Sequence, residues 1–105
     1  MKEITVQELK SKLDSNEAIQ LIDVREPHEY EICNLKGELI PMGEILNMPE
    51  KISRNIPVVI HCRSGARSAA IINQLEIQHG FTNLFNLKGG ILAYAKEIDN
   101  SLPLY

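Results

Sequence analysis

Apolar and polar positions follow two rhythms along this chain, and the switches between them mark the elements. Val6, Leu9 and Leu13 recur at helical spacing behind Thr5-Val6-Gln7-Glu8, a capping box in which Thr5 accepts from the amide three residues on and Glu8 reaches back. Asp14-Ser15-Asn16 ends that helix, and Met1 to Ile4 ahead of it can pair as an edge strand. Ile19 to Val24 reads IQLIDV, a strand whose apolar part precedes Asp23. Arg25-Glu26-Pro27 turns the chain into a short helix through Cys33, where Pro27 lacks only an amide that would be unpaired in a first turn.

Asn34 to Glu38 carries turn chemistry around Gly37, and Leu39-Ile40 is a short strand stopped by Pro41. Gly43, Asn47 and Pro49 divide Met42 to Lys51 into two short helical turns, and Ile52 to Pro57 is a connection. Pro57 to His61 is the central strand. Arg67 to His79 is the strongest helix, with Ala70, Ile71, Ile72 and Leu75 on adjacent rows and Gly80 as a left-handed stop. Leu84-Phe85-Asn86 forms a short strand, Gly89-Gly90 opens a last helix over Ile91 to Ile98, and Asp99 to Tyr105 is extended and packed on the surface. Strand and helix alternate throughout, which predicts an α/β fold: a parallel sheet with helices on both faces, formed by one domain over residues 1–105.

Charge and cysteine usage narrow the picture. A net charge of −3 gives no general attraction to nucleic acid or to an anionic membrane, so any basic feature is local. No apolar run is long enough to span a bilayer and no secretory signal is present, which predicts a reducing, cytoplasmic setting for the two cysteines. A Cys33–Cys62 disulfide is compatible with the sequence alone but is not the reading favoured here. Neither cysteine has metal-ligand spacing to other cysteines, histidines or carboxylates, so no metal site is predicted.

The chemistry gathers at Pro57 to Ser68, PVVIHCRSGARS: a buried strand, a glycine-containing loop opening with cysteine, and a helix. Arg63 and Arg67 flank Cys62, and a helix N-terminus follows within one turn; both favour the thiolate over the thiol. Gly65 lets the backbone curl so that loop amides face inward. The result is an anion-binding cup centred on sulfur. Such a cup suits transfer of sulfane sulfur through a cysteine persulfide or of a phosphoryl group through a thiophosphate. Four residues separate Cys62 from Arg67, one fewer than in the cysteine phosphatase pattern, and the narrower cup fits one added sulfur better than a tetrahedral phosphate.

HCRSGARSAA resembles the active-site loop of rhodanese-like sulfurtransferases, as does the upstream LIDVREPHEYE. YEICNLKGELIPMGEI and NLKGGILAYAKEIDNSLPLY look more specifically like the rhodanese domain at the C-terminus of bacterial adenylyltransferases that activate sulfur-carrier proteins of molybdopterin and thiamine synthesis. This chain has no adenylyltransferase portion. NLKGELIP keeps the glycine and proline of the broader family pattern at Gly37 and Pro41, but has Asn34 for a histidine and Glu38 for an alanine, and is one residue shorter. The resemblance implies the rhodanese-like open parallel sheet of about five strands. It implies that Cys62 carries a persulfide and that Arg63, Ser64, Gly65, Ala66 and Arg67 supply the amides and charge around it. A small anionic donor such as thiosulfate, or a protein persulfide, would load the sulfur. A thiol, cyanide or a sulfur-carrier protein would accept it, with an adenylyltransferase as a further candidate partner. No metal or organic cofactor is needed. The competing readings are a non-catalytic binding or regulatory module that uses the same cup, and, behind it, a cysteine phosphatase or arsenate reductase.

Around the loop, Asp23 ends a neighbouring strand on the same sheet edge, and an Asp23–Arg67 ion pair is expected to brace it, with Ser68 as a second bracing residue. Arg63 is then the substrate contact. Arg25 is expected to pair with Glu29 across one turn, and Glu26, Glu29 and Glu31 to form a solvated acidic face. Cys33 is read as a structural thiol, His28 and His79 as surface residues, and His61 as a strand-end side chain facing away from Cys62. Gly89-Gly90 lies near a strand's carboxyl end and is a candidate wall of the site.

Overall fold

A computed structural model describes residues 1–105. Five strands, β1 (Glu3–Ile4), β2 (Gln20–Asp23), β3 (Glu38–Leu39), β4 (Val58–His61) and β5 (Leu84–Leu87), form one sheet in the order β1-β5-β4-β2-β3. Every pairing is parallel. The helices are α1 (Val6–Asp14), α2 (Pro27–Ile32), α3 (Met42–Ile45), α4 (Ala66–His79) and α5 (Gly90–Glu97), with a 3-10 turn at Pro49–Lys51. The broken stretch after Pro41 is thus two short turns, and α4 starts one residue earlier than its sequence pattern suggests. No helix is long and apolar enough to cross a membrane.

Side-chain parity on the central strand builds two cores. Val58 and Ile60 face one side with Ile22, Leu84 and the α4 residues Ile71, Ile72 and Leu75. Val59 faces the other with Val6 and Leu9 of α1, Leu87 and Tyr94 of α5. All four residues of β4 are buried, as befits a strand covered on both faces. Each fully buried leucine or isoleucine contributes roughly 1.5–3 kcal/mol, so the cores hold β4 firmly and with it the loop at its carboxyl end.

Local signals set the ends. Thr5 Oγ1 accepts from the Glu8 amide at 3.1 Å and Glu8 Oε1 from the Thr5 amide at 2.9 Å, completing the α1 capping box. Gly80 stops α4 at φ 68°, a left-handed conformation that suits glycine. The tail after α5 turns at Asp99–Ser101 and packs Leu102 onto the second core.

Candidate active site

The register of the sheet aims the site. Ile60 of β4 pairs with Asn86 of β5, and Cys62, two residues beyond Ile60, projects to the same side as Asn86 and α4. The chain then turns through Arg63 and Ser64 to Gly65, whose φ of 107° is costly for any residue with a Cβ, and enters α4 at Ala66. This tight return brings the first turn of α4 back over the sulfur.

Three donors converge on Cys62 Sγ: the Gly65 amide at 3.1 Å, the Ser68 amide at 3.4 Å and Ser68 Oγ at 3.4 Å. Burial of the sulfur opposes ionisation, but the Ser68 hydroxyl and the amides of Ser68, Gly65 and Ser64 outweigh it and hold the thiol below its ordinary pKa. The amides of Arg63, Ala66 and Arg67 have no protein acceptor, so the loop keeps N–H groups unpaired beside the sulfur's own donors. Arg63, Ser64 and Ala66 are exposed at the loop's rim, whereas Cys62 is 1% exposed. The three surface concavities of the chain are lined by residues outside this loop.

Asn86 supports the cup from below, and sequence reasoning did not find it. Its Oδ1 lies 2.6 Å from Ser68 Oγ and its Nδ2 donates to the Gly65 carbonyl at 3.1 Å. The Ser68 hydroxyl has one proton for Asn86, the Gly65 carbonyl and Sγ, so its bond to a thiolate forms in exchange for one of the others. The signal was a lone polar residue in the apolar strand LFNL, at the sheet edge where ligands bind. Gly90 closes one wall: a Cβ there would collide with the Arg63 carbonyl oxygen. The Ile91 and Leu92 amides donate to the carbonyls of Cys62 and Arg63 at 3.0 and 3.1 Å, tying α5 to the loop.

The expected Asp23–Arg67 brace is not formed. Asp23 is in register with His61, so both project to the face opposite Cys62. There Asp23 is fully buried and holds Arg25, with Nη2 to Oδ2 at 2.8 Å and Nε to Oδ1 at 3.0 Å. Arg25 also donates to the Cys33 carbonyl at 2.6 Å and reaches only the main-chain oxygen of Glu29, which replaces the expected Arg25–Glu29 side-chain pair. Arg67 instead makes a two-point contact with Glu29, 2.7 and 2.9 Å. Glu29 is therefore buried rather than part of the expected solvated acidic face; Glu26 and Glu31 are exposed. Hydrogen bonding to Arg67, only partly opposed by burial, holds the Glu29 carboxyl down to about 2. Glu29 Oε1 also accepts from the Glu26 amide at 3.0 Å, so one carboxylate caps α2 and fixes the start of α4.

His61 is fully buried, its ring nitrogens lack hydrogen-bond partners, and Nε2 lies 3.8 Å from Asp23 Oδ2. Burial lowers its pKa, which keeps it neutral beside the Asp23–Arg25 pair. Cys33 and Cys62 are both free thiols, and no three His, Cys, Asp or Glu side chains gather as a metal site.

Residues 5–97 match the family described as Rhodanese-like domain. The chain is 36% identical over 96 residues to a protein of Allochromatium vinosum named Sulfurtransferase, covering 90% of this chain and 89% of that one. It is 36% identical over 106 residues to the Probable adenylyltransferase/sulfurtransferase MoeZ of Mycobacterium tuberculosis, covering 97% of this chain and 26% of that protein. A crystal structure of a Rhodanese-like domain protein from Staphylococcus aureus has a TM-score of 0.82 at 32% identity, over 100% of this chain and 99% of that one. Several curated relatives are much longer than the region they share with this chain, which spans 23% to 48% of their length.

Proposed function

This chain belongs to the rhodanese-like domain family, and we propose that it transfers sulfane sulfur from an anionic donor to a thiophilic acceptor through a persulfide on Cys62. The observation that carries this reading is the convergence of the Gly65 amide and the Ser68 amide and hydroxyl on a thiol whose pKa they lower. The Cys62 thiolate attacks the outer sulfur of thiosulfate; the new S–S bond forms as the bond to the sulfonate sulfur breaks, and sulfite leaves with the electron pair. The terminal sulfur of the persulfide is an anion, and the unpaired amides of Arg63, Ala66 and Arg67 are the groups proposed to meet it. Cyanide or a thiolate then attacks that sulfur and takes it, and the Cys62 thiolate is restored. This double displacement uses no metal or organic cofactor.

Arg67 argues for sulfur rather than phosphate. Its guanidinium is committed to Glu29, which leaves amides and one hydroxyl as the loop's inward donors. A phosphoryl group would call for an arginine clamp on its oxygens. A buried sulfur behind an exposed rim suits a small donor or the flexible end of a protein. Relatives named as an adenylyltransferase/sulfurtransferase and as a putative sulfur carrier protein support a sulfur-carrier protein or an adenylyltransferase as the proposed macromolecular partner, and the cytoplasm is the proposed setting. Intact mass spectrometry after incubation with thiosulfate tests the reading. The protein should gain one sulfur atom, lose it to cyanide as thiocyanate, and gain none as Cys62→Ser; full activity in that variant would end the proposal.

A further inference from the structure

The tail beyond α5 runs toward the mouth of the site. Leu102 anchors it in the second core. The Pro103 carbonyl then accepts from Cys33 Sγ at 3.6 Å and from the Tyr105 amide at 3.0 Å, and this pair of bonds curls the chain back. The curl sets the Tyr105 ring beneath the Arg63 guanidinium, with Cζ 6.0 Å from the ring centroid. Arg63 follows the nucleophile directly and is exposed, and it makes no ion pair and no side-chain hydrogen bond. It is the cation at the rim not already neutralised, since Arg67 belongs to Glu29 and Arg25 to Asp23.

We propose that Tyr105 is a positioning residue: its ring holds Arg63 over the cup and so sets the affinity for the anionic sulfur donor. A free arginine samples many rotamers, and ordering it on binding costs free energy. An aromatic face that restricts the guanidinium beforehand reduces that cost without neutralising the charge, which a carboxylate partner would do. Pro103 and Cys33 matter here as the fixed point from which Tyr105 reaches. The proposal rests on the sulfur-transfer reading for its substrate but not for its geometry.

Three measurements test it. Arg63 Nε–H should lie in the shielding region of the ring, so its NMR resonance moves in Tyr105→Ala and stays in Tyr105→Phe. Thiosulfate titrated into Cys62→Ser, followed by loop amide shifts, should bind about two- to fivefold more weakly when Tyr105→Ala is added, the range expected of an exposed cation–π contact. In steady-state transfer to cyanide, Tyr105→Ala should raise KM by the same factor and leave kcat unchanged, Tyr105→Phe should restore KM, and Arg63→Ala should abolish the difference between them. An unmoved Arg63 resonance, equal thiosulfate affinity, or an undiminished effect in the Arg63→Ala background would overturn the proposal. A chain that binds thiosulfate with the expected Tyr105 dependence yet never gains sulfur would refute the transfer reading and leave the positioning role standing.

Discussion

Replacing Glu29 by glutamine probes the clamp that fixes the start of α4. The side chain keeps its size and one acceptor oxygen and loses its charge. In the native protein Glu29 is 8% exposed, bonds Arg67 at two points and is held at about 2 against an ordinary 4.5. By linkage a depression of that size corresponds to about 3 kcal/mol of stability at neutral pH. Arg67 is one-third exposed, at 34%, so solvent screens the pair and the expected loss is about 2 kcal/mol. The sign follows from the direction of the shift. A carboxyl with a lowered native pKa contributes fully above its unfolded value, and the contribution disappears as pH falls from about 4.5 toward 2. Urea unfolding of wild type and Glu29→Gln, repeated at descending pH, should show that deficit at pH 7 and its progressive disappearance below about pH 4.5. Other acid-sensitive groups, His61 among them, are common to both proteins and cancel in the difference. Equal unfolding free energies at pH 7, or a deficit that stays constant into acid, would show that the two-point contact contributes no such stability.

Two further substitutions address the cup and its wall. Ser68→Ala removes the largest influence lowering the Cys62 pKa, while wild type gives up a neutral hydrogen bond to supply it. Its thiolate absorbance, corrected with Cys62→Ser, should therefore titrate at higher pH than that of wild type; an unmoved midpoint would mean the amides alone set the ionisation. Gly90→Ala should cost about 1–3 kcal/mol in urea unfolding and slow sulfur loading, because its Cβ would meet the main-chain oxygen of Arg63. Wild-type stability together with wild-type loading would show that the loop yields freely to α5.

Much of this protein was legible along the chain because the relevant physics is local. The capping box of α1, the glycine stop of α4 and the two broken turns after Pro41 each depend on residues within one turn of each other. The same is true of the centre of the site. Cys62, Gly65 and Ser68 lie within seven positions, and a strand, a left-handed glycine and a helix start suffice to fold the amides onto the sulfur. Partners across the sheet edge were not legible in that way. Charge alone allows Asp23, Arg25, Glu29 and Arg67 to pair in two ways, and the structure forms Asp23–Arg25 and Glu29–Arg67 rather than the expected Asp23–Arg67 and Arg25–Glu29. Strand register decided between them: Asp23 faces His61's side and Arg67 the other, while a two-turn α2, too short to show a helical period, carries Glu29 to Arg67. Asn86 beneath Ser68 and Tyr105 beneath Arg63 were placed by the same global geometry. Sequence alone thus determined which residues could carry charge and chemistry, because that is a property of short segments. Only the tertiary structure decided which of them meet, because that depends on the parity and stacking of strands far apart in the chain.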